Sequence, residues 1–182
     1  PTRRSSDLGN GRAAADARDW RFTVGAEGEF SPKITGDISA GVVRRELTHA
    51  GIADDTALYL ASRVAWAASE KTIWTLRAVQ DLGMSAVDQS MQTLEISLHV
   101  SRTFTSRLIA EGVVGFARAE YRGFEGLGDR DDHGGTIRGA LRYTLGRRAT
   151  IDAAAGWREN RSTESLAIYR RVNTSLGMTV RF

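Results

Sequence analysis

The sequence predicts an all-β fold, an antiparallel up-and-down transmembrane β-barrel, and three observations point there. Nine segments of membrane-crossing length alternate apolar with polar residues. The connections between them alternate short with long. All four tryptophans fall on the apolar phase, near segment ends. A spanning strand needs only about 9–11 residues with one apolar face, so the lack of any run near about 18 apolar residues excludes helical spans and nothing else.

The last segment shows the pattern most plainly. Val172, Thr174, Leu176, Met178, Val180 and Phe182 alternate with Arg171, Asn173, Ser175, Gly177, Thr179 and Arg181. A two-residue period puts these sets on opposite faces of a strand. Upstream, Trp20, Phe22, Val24, Ala26, Gly28 and Phe30 alternate with Arg21, Thr23, Gly25, Glu27 and Glu29. Ile34, Ile38, Ala40 and Val42 then face away from Lys33, Asp37 and Ser39. Leu58, Leu60, Val64 and Trp66 oppose Arg63, and Trp74, Leu76 and Ala78 oppose Thr75 and Arg77. Leu94, Ile96, Leu98 and Val100 oppose Glu95, Ser97 and His99, and Leu108, Ala110, Val114 and Phe116 oppose Glu111. Ile137, Leu141, Tyr143 and Leu145 oppose Arg138 and Arg142, and Ile151, Ala153, Ala155 and Trp157 oppose Asp152 and Arg158. Residues 57–69 are alanine-rich, and alanine favours helix. Alternation on both sides nevertheless assigns them to a strand.

Short connections fall at 31–32, 69–71, 104–106 and 146–149, and long polar ones at 46–56, 83–90, 122–135 and 159–168. Membrane barrels carry short turns at one rim and long loops at the other. In that order the first and last strands both run toward the short-turn rim. Single-chain bacterial barrels normally have an even strand number, so the nine strands are expected to belong to a larger even-stranded barrel. Residues 1–8, PTRRSSDL, match a common sequencing adapter read in frame and are expected to be an artefact. Residues 9–19 then read as the remnant of an outer loop, and 20–182 as the C-terminal part of the barrel.

Alternation alone does not say which face meets lipid. A soluble lipocalin-like barrel binding a small ligand would put the apolar phase inside. The tryptophans favour the membrane version, because aromatic girdles mark both interfaces of such a barrel. Trp20, Trp157 and Tyr169 are expected at the outer rim, with Tyr121 nearby. Trp66, Trp74 and Tyr143 are expected at the inner rim, with Phe30, Phe104 and Phe182. The polar phase carries Glu27, Asp37, Arg63, Arg77, Glu95, Glu111, Arg138, Arg142 and Asp152 at mid-strand. Facing hydrocarbon, an arginine there would cost about 2–4 kcal/mol, so these nine are expected to face a lumen. A wide lumen would hold water, and the charges would tune passage of polar or anionic solutes. A narrow one would be filled by interlocked charges, leaving a structural barrel. Lys+Arg (25) nearly balance Asp+Glu (22), which shows no clear ion selectivity.

Other chemistry finds little support in the residues. There is no cysteine for disulfides or thiolate metal sites. Basic residues are scattered along the chain and gather in no single patch, which argues against a nucleic-acid partner. His49, His99 and His133 lie in no metal-ligand or nucleophile spacing, and no serine has the partners of a catalytic triad. Asp129–His133, DRDDH, reads as a solvated outer loop and lacks the regular ligand spacing of a calcium loop. Gly112, Gly115 and Gly139 are expected to relieve crowding at bends. No enzyme, cofactor or metal is expected.

From about Leu108 onward, YRGF, GDRDD, GGTIRGALRYTLGRRATIDAAAGWRENRS and YRRVNTSLGMTVRF resemble outer-membrane β-barrel proteins of Gram-negative bacteria, in particular those found with exopolysaccharide or capsule export and exosortase loci. Tyr143, Leu145, Gly156, Trp157, Tyr169, Arg170 and Asn173 occupy matching places. The likeness covers about the last 75 residues well and the rest by pattern. It implies a porin-like barrel in the cell envelope, a channel or accessory barrel for polysaccharide or polar solutes. The implied partners are outer-membrane lipid and the barrel-assembly machinery. Terminal Phe182, behind its alternating strand, looks like the signal that this machinery reads.

Overall fold

A computed structural model describes residues 17–47, 55–84, 90–122, 128–146 and 148–181. They form nine strands: β1 (Ala17–Ser31), β2 (Ile34–Leu47), β3 (Asp55–Ser69), β4 (Thr72–Met84), β5 (Ser90–Thr105), β6 (Leu108–Tyr121), β7 (Arg130–Leu145), β8 (Ala149–Ser162) and β9 (Tyr169–Val180). Each pairs antiparallel with the next in one sheet ordered β1 to β9. β1 and β9 are its open edges, the geometry of a partial up-and-down barrel. The alanine-rich stretch is β3, laddered on both sides, by β2 and β4. A single short 3-10 turn, Ser165–Ala167, is the one helical element among the described residues.

The strands outrun the sequence reading at the long-loop rim. β1 starts at Ala17 rather than Trp20, β7 at Arg130 rather than after Gly135, and β8 continues to Ser162. The physical reason is that both faces are wet beyond the apolar band. Alternation stops marking the strand there, while the ladder continues. Asp131 and Asp132, expected in a solvated loop, are strand residues opposite Glu120 and Ala119.

At the other rim three turns share one device. The hydroxyl oxygens of Ser31, Ser69 and Thr105 accept the backbone N–H of Lys33, Lys71 and Arg107, two residues on. Such a turn closes on its own side chain, and a register shift precedes each. Gly146 turns the fourth with φ +68°, a left-handed backbone that glycine adopts without steric cost. Of the glycines expected to relieve crowding, Gly115 does so, since a Cβ there would lie 2.9 Å from Thr136 Cγ2. Gly112 is tight against Val100, but Gly139 has open space before it, so crowding does not explain that position.

Side chains that reach over intervening strands show which face is concave. Arg21 of β1 donates to both carboxylate oxygens of Asp81 on β4, at 2.7 and 2.9 Å. Arg122, after β6, meets Asp55 of β3 at 2.5 Å. Each pair is separated by three strand spacings, about 14 Å along a flat sheet at about 4.8 Å per strand. Only a surface curled toward these residues brings them together. The polar phase is therefore the inside of the curl, and the apolar phase is convex. Val24 and Leu176 stand 78% and 79% exposed on that convex face, as lipid-contacting residues do. This is the reverse of a soluble lipocalin-like barrel.

The span fits a membrane. Trp20 and Phe30 bracket the apolar phase of β1. Ten residues rise about 33 Å along a strand, or about 23 Å at a tilt of about 45°, near the apolar height of about 25 Å for a membrane barrel. Because the chain has no cysteine, single reporters test the two faces. With the chain folded in lipid vesicles, Ser97→Cys and Ser175→Cys are expected to react with a water-soluble maleimide, and Leu98→Cys and Leu176→Cys to stay unlabelled. Equal labelling of both sets would refute the assignment of faces.

Candidate functional site

The concave wall is the candidate site. Strand register fixes its membership: Glu27 opposes Asp37, Asp37 opposes Arg63, and Arg63 opposes Arg77. The same row continues through Ser97, Gly115, Thr136, Arg158 and Arg171. Glu95, Glu111, Arg138, Arg142 and Asp152 share this face by the same register. All nine charges singled out in the sequence thus lie on one wall, and they are sorted by hairpin. β1 and β2 present acids at mid-depth, β3 and β4 arginines, β5 and β6 acids, and β7 to β9 mainly arginines.

Pairing differs with depth. Among these mid-depth groups Arg142 meets Asp152 at 2.7 Å. Toward the long-loop rim a dense network takes over. Arg45, 5% exposed, grips Asp19 through a two-pronged contact, Nε to Oδ1 at 2.7 Å and Nη2 to Oδ2 at 2.6 Å. It also donates to the Gly83 carbonyl on β4. Asp55 accepts from Ser90 Oγ at 2.6 Å and from Arg122. Arg21, besides holding Asp81, lies over the Tyr59 ring at 4.5 Å. Val43, Ala57 and Leu82 form the buried apolar cluster beside this network. The hydrogen bond from Arg45 holds the Asp19 carboxyl below its ordinary range, against the opposing effect of burial.

Sequence reading missed this network because Asp55 lay in a segment read as loop, and its pairs are 26 to 67 residues apart. No local period carries such contacts.

The aromatic positions divide. Trp20, Trp66, Trp74, Trp157 and Tyr143 lie on the apolar phase, with Trp66 directly opposite Trp74 toward the short-turn rim. Tyr169 does not. It opposes Asn160, which opposes Gly134 on the concave face, so its place in the girdle is corrected. The parity it shares with Arg171 and Asn173 carried that information. Tyr121, also expected near the girdle, is concave and lies beneath the Arg130 guanidinium at 4.6 Å. Both tyrosines border a cavity of about 490 Å³ with Thr93, Glu95, Asp132 and Arg158.

His99 sits on the concave face between Thr75 and Val113, and His133 is on the convex phase of β7. His49 and Phe182 lie outside the described residues. Carboxylates of the DRDDH segment are engaged by arginines: Asp131 by Arg118 at 2.7 Å, and Asp132 by Arg130. The hydrogen bond from Arg118 lowers the Asp131 carboxyl from its ordinary value. On the convex side just above Trp157, Glu159 accepts from Arg161 and Arg170 at 2.6 and 3.2 Å.

An apolar convex surface with interfacial tryptophans and a polar concave wall define a porin-like membrane β-barrel. Residues 3–182 match the family described as "Putative beta-barrel porin 2", and the chain belongs to that family. No curated protein matches it.

The rim network makes a prediction about pH. Asp19→Asn leaves the buried Arg45 guanidinium short of its charged partner, an expected loss of about 1–3 kcal/mol. The folded Asp19 pKa lies below its unfolded value. Its contribution is therefore complete above the ordinary carboxylate range and is lost as pH falls through the folded value. Melting of the detergent-folded chain, followed by tryptophan fluorescence, should separate the two proteins at neutral pH and converge in acid. A separation that persists unchanged into strong acid would contradict the ion-pair account.

Proposed function

We propose that the protein is an integral outer-membrane channel of the Gram-negative cell envelope, that it passes polar solutes, segments of exported polysaccharide among them, and that it carries out no catalysis. The observation behind this reading is the polar concave wall, which keeps charges at mid-depth and a cavity of about 490 Å³ beside Tyr121 and Tyr169. Charged groups at that depth are tolerated where they line water. Outer-membrane lipid contacts the convex face. The barrel-assembly machinery folds the chain, taking hold of the open edge of β9. An exposed strand edge invites pairing with another strand, which gives the machinery a physical handle.

A second reading is a structural barrel with a filled lumen. The Asp19–Arg45–Asp55–Arg122 side of the wall favours it, because Arg45 and Asp55 are buried there and each is held by a charged partner.

The channel reading is tested with the full chain folded into liposomes and exposed to sugars of increasing size. Heat-dependent migration of the detergent-folded band reports the folded barrel, and swelling with small but not large sugars reports a pore. A heat-modifiable band with no swelling at any sugar size would replace the channel by the filled barrel.

A further inference from the structure

We propose that the β7–β9 wall carries an anion-binding subsite built by Arg138, Arg158 and Arg171, which takes the carboxylate or sulfate groups of a polyanionic solute. The proposal rests on the channel reading only for its consequence, a preference for anions in transit. Binding itself is a property of the wall.

Three observations converge. First, Arg158 and Arg171 are direct cross-strand partners, which places their Cα atoms about 4.5–5.5 Å apart. Arg138 opposes Gly156, two residues from Arg158, a diagonal of about 7–8 Å. Like charges directly opposite on one face are destabilising. Second, these three guanidiniums make no ion pair or side-chain hydrogen bond among the described residues, and Arg171 meets only the Tyr169 ring, at 5.9 Å. Their neighbours on the same wall are matched: Arg142 has Asp152, and Arg130 has Asp132. Carboxylates stand on the same wall, Glu111 one diagonal position from Arg138, yet none is paired with these three. Third, glycine at position 156 lets Arg138 and Asn173 close in on the middle of the group. A Cβ there would lie 2.9 Å from Asn173 Oδ1 and 3.6 Å from Arg138 Cγ. Asn173, opposite Gly156, and Thr136, opposite Arg158, are the polar neighbours of the three on this face.

A carboxylate or sulfate among the three guanidiniums relieves the repulsion and meets forked donors of matching geometry. Acids at Glu111 on the adjoining β6 and at Glu95 on β5 repel the same solute, so it is held to the arginine stripe. One anion could come free or as one unit of an acidic glycan, and the chemistry at the subsite is the same.

The test uses the full chain folded in zwitterionic detergent, with citrate and tetragalacturonate as probes in equilibrium dialysis. Arg138→Gln/Arg158→Gln/Arg171→Gln is compared with Arg118→Gln/Arg161→Gln/Arg170→Gln, which removes three arginines from the convex phase. Both are first checked for heat-dependent migration. The concave triple should weaken citrate binding about tenfold or more, and the convex triple should leave it within about twofold. Tighter binding of tetragalacturonate than of citrate identifies a chain-borne anion, and the reverse a free one. In planar bilayers under a salt gradient, the concave triple should lower the anion-to-cation permeability ratio about threefold. Citrate binding with no conductance would retain the subsite and remove the channel. Absent binding by the unaltered chain, or equal loss in both triples, overturns the proposal.

Discussion

Inside hydrocarbon a backbone N–H or C=O has no water to turn to, and leaving one unpaired costs several kcal/mol. This protein meets that constraint with strand ladders, each interior strand paired along both edges from β2 to β8. Once the backbone is committed to ladders, side chains must alternate between two surfaces. One surface became the lipid contact and the other a polar wall. The curl of the sheet then decided which groups could meet across it. Arg21 reaches Asp81, and Arg122 reaches Asp55, only because the polar surface is concave.

Charge is handled differently at two depths of that wall. Near the long-loop rim, guanidiniums and carboxylates are matched one to one and partly buried, as with Arg45 and Asp19. Burying one such partner alone would be expensive, so the network is complete. Deeper in, the rows mix opposite-charge neighbours, Asp37 with Arg63 and Arg142 with Asp152, with like against like, Glu27 facing Asp37 and Arg63 facing Arg77. Water and salt screen such pairs. Stability explains the rim. It does not explain the like-charged neighbours deeper in, which is why they are the place to look for function.

Membership of a porin family establishes the kind of barrel, while cargo is a matter of the wall. A nearly neutral composition is compatible with a wall that is strongly polar locally, since neutrality is a sum and selectivity depends on position. Sorting of the charges by hairpin gives successive stripes of opposite sign around the wall. The charge along any path over the wall therefore depends on where the path runs, not on the net charge of the protein.

Alternation, turn spacing and tryptophan placement determined from sequence alone that this is a nine-stranded up-and-down sheet, with Glu27, Arg63, Arg138 and Asp152 on a common face. Those features are local: a period of two, a turn chemistry and an interfacial preference each act within a few residues. The strand ends were not legible, because both faces are wet at Arg130–His133 and the period fades where the ladder does not. Tyr169 was legible and misassigned, its aromatic character given more weight than its parity. The Asp19–Arg45–Asp55–Arg122 network, the concavity of the polar face and the unmatched arginines of β7–β9 were decided only by the tertiary structure. Each depends on register and curvature, which join residues dozens of positions apart and leave no mark in any short stretch of sequence.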